Sequence, residues 1–177
     1  MDNHIVYFCR KGDLNSIMNH INKKNIHIDV EYGFRMACFY GYKHIVEYFV
    51  NIYKENPIYA KINIHAKNEL GFTMACQYGY KHIVEYLINL YNINQDYLPI
   101  NIHVNNEDGF RWACFNRHKH IVEYLINLHK MQPIYAKINI HARNEFCFRW
   151  CNRHKHIIKY LLSCGCYSNN YKCIIIL

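Results

Sequence analysis

The string Lys-His-Ile-Val-Glu-Tyr stands at positions 43–48, 81–86 and 119–124, at intervals of 38 residues, and a variant, Lys155-His156-Ile157-Ile158-Lys159-Tyr160, follows after 36. A fixed period of this size makes each stretch one supersecondary unit, too small to bury its own apolar face, so the units must stack on one another. The segment 57–66 recurs without change at 133–142, two periods on, as a recent duplication would leave it. A first, divergent copy aligns when Gly12 is placed under Gly41, which brings Ile17 under Val46 and Ile21 under Val50. The 177 residues then divide into units at about 1–28, 29–66, 67–104, 105–142 and 143–177, within a single domain.

Each period reads as two helices and an extended finger. Ile83, Val84, Leu87, Ile88 and Tyr91 fall at i, i+1, i+4, i+5 and i+8, one broad apolar stripe at helical period. A shorter helix precedes it, from about Phe72 to Tyr78, with Phe72, Ala75 and Cys76 as its inner face and Gly79 as its terminator. Pro57, Pro99 and Pro133 all follow a second helix, where a residue without an N–H stops propagation. Ile62-Asn63-Ile64-His65 alternates and predicts a short extended finger. Pro and Gly together number only 3 and 7, which already disfavours a fold of many tight hairpins.

The run from Leu70 to Ile88 resembles an ankyrin repeat. Ala75-Cys76 and Gly79 stand where that family has its Ala-Ala pair and the Gly of Gly-His, and Ile83-Val84 and Leu87-Ile88 match its paired aliphatics. His118 and His154 restore the Gly-His histidine that Tyr42 and Tyr80 replace, and Asn63-Ile64-His65-Ala66 is similar to the family's finger sequence. The resemblance covers about residues 5–163 and implies an all-α ankyrin-repeat solenoid of about five stacked helix-turn-helix units with short fingers. The sequence departs from the family in its worn Thr-Pro-Leu-His signature, in its longer period, and in a last first-helix (Phe148 to Arg153) two residues short. With Arg111-Trp112-Ala113-Cys114 and a composition just over half Phe, Tyr, Met, Ile, Asn and Lys, all encoded by AT-rich codons, it is similar to the ankyrin proteins of giant DNA viruses.

A formal charge of +8 makes an acidic partner or nucleic acid worth weighing. The nine cysteines are odd in number and no signal peptide precedes them, so the thiols are expected to be reduced and the protein intracellular, in the host cell cytoplasm. No apolar run approaches the roughly 18 residues needed to span a bilayer, and a soluble monomer without membrane contact is expected.

Cys38, Cys76 and Cys114 recur at the period and read as a ladder of small core residues, and His65, His103 and His141 as residues that stabilise the fingers. The C-terminal set Cys147, Cys151, His154, His156, Cys164, Cys166 and Cys173 suggests a zinc site, but Cys164-Gly165-Cys166 is too tightly spaced for the usual knuckle, so no metal and no cofactor is expected. There is no phosphate loop, nucleophile elbow or His-Glu-x-x-His, and therefore no catalytic residue is assigned. His44/Glu47, His82/Glu85 and His120/Glu123, spaced i, i+3 and evenly repeated, read as solvated ion pairs.

The resemblance implies binding through the finger tips and the outer side of the first helix. Its variable positions fall here on Asp29, Lys67, Asn105 and Arg143 at the finger base and on Glu31, Glu69, Glu107 and Glu145 at the tip. On the first helix they fall on Phe39, Gln77 and Phe115 with Tyr40, Tyr78, Asn116 and Asn152. Phe39, Tyr40, Tyr78 and Phe115 would form a protein-binding patch, although Phe39 and Phe115 can also be read as packing between units. An unidentified protein partner is expected, bound by an adaptor or competitive binder. The 14 residues after Ser163 are read as too few for an F-box-like segment that recruits ubiquitin ligase. Two alternatives remain. Lys43, Lys81, Lys119 and Lys155, with Arg35, Arg111 and Arg149, would serve a basic nucleic-acid-associated solenoid, though a glutamate in every finger opposes phosphate. A decayed duplicate with no active role is the other.

Overall fold

Each second-helix sequence becomes a helix with its aliphatic stripe turned inward. The computed structural model of the chain describes residues 3–24, 30–55, 59, 61–151 and 154–164. Among the described residues there are ten α-helices and no strand: α1 (Asn3–Lys11), α2 (Leu14–Lys24), α3 (Val30–Tyr40), α4 (Lys43–Glu55), α5 (Ala66–Gln77), α6 (Lys81–Ile93), α7 (Val104–Phe115), α8 (Lys119–Met131), α9 (Ala142–Cys151) and α10 (Lys155–Ser163). They form successive helix-turn-helix pairs, and the fold class is an all-α repeat solenoid.

The chain divides into two compact units, residues 1–75 with 82–100, and residues 76–81 with 101–177. In the first, α1 packs on α2 and α3, and α3 on α4. Ile5, Cys9, Ile17, Ile21, Phe34, Cys38, Val46 and Phe49 are buried there, with Phe72 and Ala75 of α5 and Ile83, Val84, Leu87 and Ile88 of α6. A Cβ on Gly71 would lie 2.6 Å from the Phe34 ring, so glycine is what lets α5 approach α3. In the second unit α7 packs on α8 and α9, and α10 on α8 and α9, around Phe110, Ala113, Cys114, Val122, Leu125, Phe148, Ile157 and Leu161. The shortened last pair still forms both helices, α9 with 10 residues and α10 with 9, against 12 and 13 in α7 and α8.

Among the described residues, four first helices (α1, α3, α5 and α7) are followed by a residue in the left-handed region. Gly12, Gly41 and Gly79 have φ of 70°, 86° and 83°, and the N–H groups of Gly41 and Tyr42 both reach the Ala37 carbonyl, at 3.0 and 3.2 Å. One period after Gly79 the same position is Arg117, at φ 68°, a conformation that costs a side-chain-bearing residue about 1 kcal/mol or more. Its Nε donates to His154 Nε2 at 3.2 Å.

These turns are also where successive repeats are tied. The carbonyl of the terminating glycine has no partner within its own helix. It accepts instead from a histidine of the next second helix: His44 Nε2 to Gly12 O at 3.2 Å, His82 to Gly41 at 3.2 Å, and His120 to Gly79 at 3.1 Å. The expected His-Glu ion pairs are thus corrected. These histidines face the preceding turn, while Glu47 and Glu123 pair with Lys43 and Lys119 at 3.3 and 2.9 Å.

Gly79→Ala is expected to destabilise the protein by about 2 kcal/mol, because it adds left-handed strain and a Cβ 2.5 Å from the His118 ring. Arg117→Ala, where the strain is already present, should cost less than about 1 kcal/mol. Urea unfolding of both variants measures the difference, and equal losses would contradict it.

Candidate functional site

The fingers differ from the extended tip that the sequence predicts. Ile62 and Ile64, Ile100 and Ile102, and Ile138 and Ile140 do alternate inward, with the asparagine between each pair exposed. The chain then folds into a left-handed turn instead of pairing as a strand. Lys67-Asn68-Glu69 has φ of 55°, 56° and 57°, and Asn105-Asn106-Glu107 and Arg143-Asn144-Glu145 repeat the conformation.

A run of three left-handed residues costs roughly 3–6 kcal/mol, less where the residue is asparagine, so it must be held. The Asn63, Asn101 and Asn139 side chains each accept from the backbone N–H two residues on, at 3.0 Å. The Glu69, Glu107 and Glu145 N–H groups close on the His65, His103 and His141 carbonyls at 3.2, 3.4 and 3.1 Å. Each of those histidines then donates Nδ1–H to the glutamate carboxylate, at 2.8, 3.0 and 2.9 Å.

Glu69, Glu107 and Glu145 are therefore 4%, 4% and 5% exposed. The reading that placed them at an open tip is corrected: their carboxylates turn inward to close the finger. Equivalent glutamates also reach the following repeat. Glu31 Oε1 accepts from the Asn63 N–H at 3.2 Å, and Glu107 Oε1 from the Asn139 N–H at 3.1 Å.

The basic residues that the nucleic-acid alternative needs are largely engaged. Arg35 and Arg111 are buried. Arg111 donates Nε to the Asn106 carbonyl at 2.7 Å and Nη2 to the Asn105 carbonyl and Asp108 Oδ1, at 3.1 and 2.8 Å. It thus satisfies carbonyls of the left-handed turn, and Arg149 does the same to the Arg143 carbonyl at 3.0 Å. The periodic lysines lie over tyrosine rings one repeat on, Lys43 at 5.6 Å from the Tyr86 centroid, Lys81 at 5.8 Å from Tyr124 and Lys119 at 5.8 Å from Tyr160. A lysine shared between a ring and a glutamate holds repeats together and offers phosphate less than its formal charge suggests.

In the first unit, the candidate residues Phe39 and Tyr40 are partly exposed at the end of α3, their rings edge to face at 4.8 Å, and Lys67 is exposed on its turn. In the second, Asn105 and Arg143 are exposed, Tyr78 is 40% and Phe115 39% exposed, and Gln77 and Asn116 are partly buried. The Asn116 amide donates to the Gln77 carbonyl at 2.9 Å, as does His118 Nε2 at 3.0 Å, while burial holds the His118 pKa below its ordinary value. Asp29 and Asn152 lie outside the described residues.

Sequence reasoning overlooked Trp112, Phe146 and Trp150. Phe115 stands 5.7 Å from Trp112, 6.4 Å from Phe146 and 5.9 Å from Trp150, and Phe146 is 6.1 Å from Trp150. Trp150 is 54% exposed. The signal was present in the spacing, since Trp112/Phe115 at i, i+3 and Phe146/Trp150 at i, i+4 share helix faces.

The cysteine ladder is core: Cys38, Cys76 and Cys114 are fully buried, and burial pushes the Cys38 and Cys76 thiols well above the ordinary range. Cys147 is buried and Cys164 exposed, whereas Cys166 and Cys173 of the weighed zinc set lie outside the described residues, as does the Cys151 side chain. Among the described residues no three His, Cys, Asp or Glu side chains converge as metal ligands would.

Comparison with known families finds a match over residues 34–142 to the family model described as ankyrin repeats (3 copies), more than half of the chain. No curated protein and no solved structure matches it.

Glu107→Ala removes the acceptor for His103 and for the Asn139 N–H, and should destabilise the protein by about 2 kcal/mol or more. Glu123→Ala, which removes only a half-exposed partner of Lys119, should stay within about 0.5 kcal/mol. Thermal melts of the two variants test the assignment; equal losses would return Glu107 to the surface.

Proposed function

The chain belongs to the ankyrin-repeat family, and from that premise we propose that it is a non-catalytic adaptor or competitive binder that docks other proteins on the outer side of its first helices. Ankyrin repeats are protein-protein interaction modules. The observation that carries the reading is the solvent exposure of large aromatic side chains on the first helices and the turns that end them, Tyr78, Phe115 and Trp150. Tyrosine and tryptophan supply much buried area for little conformational entropy and are the residue types that anchor interfaces. Around them the polar residues of the repeat are spent on closing fingers and joining repeats, which accounts for Glu69, Glu107 and Glu145 without a ligand.

The AT-type composition and the worn repeat signature support a viral protein acting on host or viral targets in the infected cell, and we read it as a cytoplasmic monomer. No helix among the described residues is long and apolar enough to cross a membrane.

Replacing Phe39, Tyr40, Tyr78 and Phe115 together by serine should leave the melting temperature within a few degrees and abolish capture of the partner from infected-cell lysate. Quantitative mass spectrometry of proteins retained by wild type and variant measures this, and an unchanged retained set would refute the assignment.

A further inference from the structure

We propose that the aromatic cluster of the second unit, Trp112, Phe115, Phe146 and Trp150, docks an acidic linear peptide through an apolar anchor residue. The inference rests on the protein-binding reading and names the chemistry of the partner. The four rings lie within 6.4 Å of one another along the chain of contacts, on α7 and α9, and Phe115 and Trp150 leave 39% and 54% of their surface to solvent. An apolar side chain laid between them would complete a packed core that the protein alone leaves open.

Charge decides what accompanies that anchor. Three carboxylates belong to these two helices. Glu107 and Glu145 are buried and held by His103 and His141, and Asp108 is paired with Arg111 at 2.8 Å. The exposed charges of the same helices are Arg143 and Arg149. Arg149 donates to the Arg143 carbonyl while its charge stays exposed. The Arg111 guanidinium in turn lies 5.1 Å from the centre of the Phe146 ring. The edge of the aromatic cluster is therefore positive, with its acids turned inward, and selects carboxylates on an incoming chain while repelling lysines.

Single-stranded nucleic acid also pairs aromatic rings with cations, but it needs open ring faces and a track of free charge. Here Trp112 and Phe115 meet at 86° and Phe115 and Trp150 at 66°, edge to face, and Lys119 is engaged by Glu123 and Tyr160. The peptide is the better fit.

Trp112 and Trp150 are the only two tryptophans in the sequence, so tryptophan emission, excited to the red of the absorption of the 17 tyrosines, reports on this cluster. Three short synthetic peptides with the same Leu and Phe anchors, spaced by Asp/Glu, by Ser or by Lys, are titrated beside oligothymidylate. The acidic peptide should shift the emission saturably and bind at least about tenfold more tightly than the Lys peptide. The combined Arg143→Glu, Arg149→Glu variant should erase that preference, and Phe115→Ser should abolish binding, with melting temperatures checked for both.

Equal binding of the Ser or Lys peptide overturns the acidic specificity, and tighter binding of oligothymidylate overturns the peptide. Emission that shifts with protein concentration alone assigns the cluster to a second copy of the chain and also overturns it. If no peptide binds while the four-serine variant still loses its captured partner, the docking site is refuted and the protein-binding function stands. If neither responds, both fall.

Discussion

The buried carboxylates of Glu69, Glu107 and Glu145, which close three of the fingers, are the interaction on which these repeats depend. Glu69, Glu107 and Glu145 sit at the end of three consecutive left-handed residues, a conformation that side chains resist. An isolated buried carboxylate would add desolvation to that strain. The two difficulties answer one another, because the left-handed turn is what brings the carboxylate onto the histidine Nδ1, and the histidine is what makes the buried charge tolerable. Glu107, and Glu31 two repeats before it, show the second use of the group, since each accepts a backbone N–H from the next finger. At Glu107 one side chain therefore serves both finger conformation and the contact between repeats.

The rest of the period follows the same economy. Stacking buries the aliphatic stripe, which is non-directional, so register between neighbours has to come from polar contacts with geometry. Histidine to glycine carbonyl at the turn, and lysine on the next repeat's tyrosine along the second helix, supply it at a spacing of one period. Both contacts draw on one string, Lys-His-Ile-Val-Glu-Tyr, in which the apolar residues fill the core while the others tie one repeat to the next. That double use explains why the string is kept from copy to copy while the first helices drift.

The sequence made the helices and the core legible, because period and side-chain polarity are both local properties. Ile83, Val84, Leu87 and Ile88, the ladder of Cys38, Cys76 and Cys114, and the terminators Gly41 and Gly79 are all readable from that period and polarity. The polar residues were misread wherever their role lies in a neighbouring turn. His82 and Glu85 stand at ion-pair spacing, yet the partner of His82 is a carbonyl 41 residues earlier. Glu107 looked like a surface acid because nothing in an Asn-Asn-Glu triplet announces a left-handed turn; the asparagines hinted at it, but Lys67 and Arg143 occupy the first place in the other fingers. The aromatic cluster was missed for the opposite reason. Its members are spread over two helices of two repeats, and of the four only Phe115 falls on a variable position of the repeat.

Variation between repeats shows where freedom remains. The position held by Arg35, Arg111 and Arg149 is Thr73 in the repeat between the first two, where a buried hydroxyl without a hydrogen-bond partner replaces a guanidinium. The turn at Lys67–Glu69 forms nonetheless, so Asx turn, histidine and carboxylate suffice to hold it and the arginine is an addition. An addition can be redirected without loss of the fold. In the second unit Arg111, paired with Asp108, also lies 5.1 Å from the centre of the Phe146 ring, at the margin of the exposed aromatic surface. Specificity in this chain is thus to be sought at those first-helix and finger positions that the closing of the turn does not require, and in the second unit these are aromatic and basic.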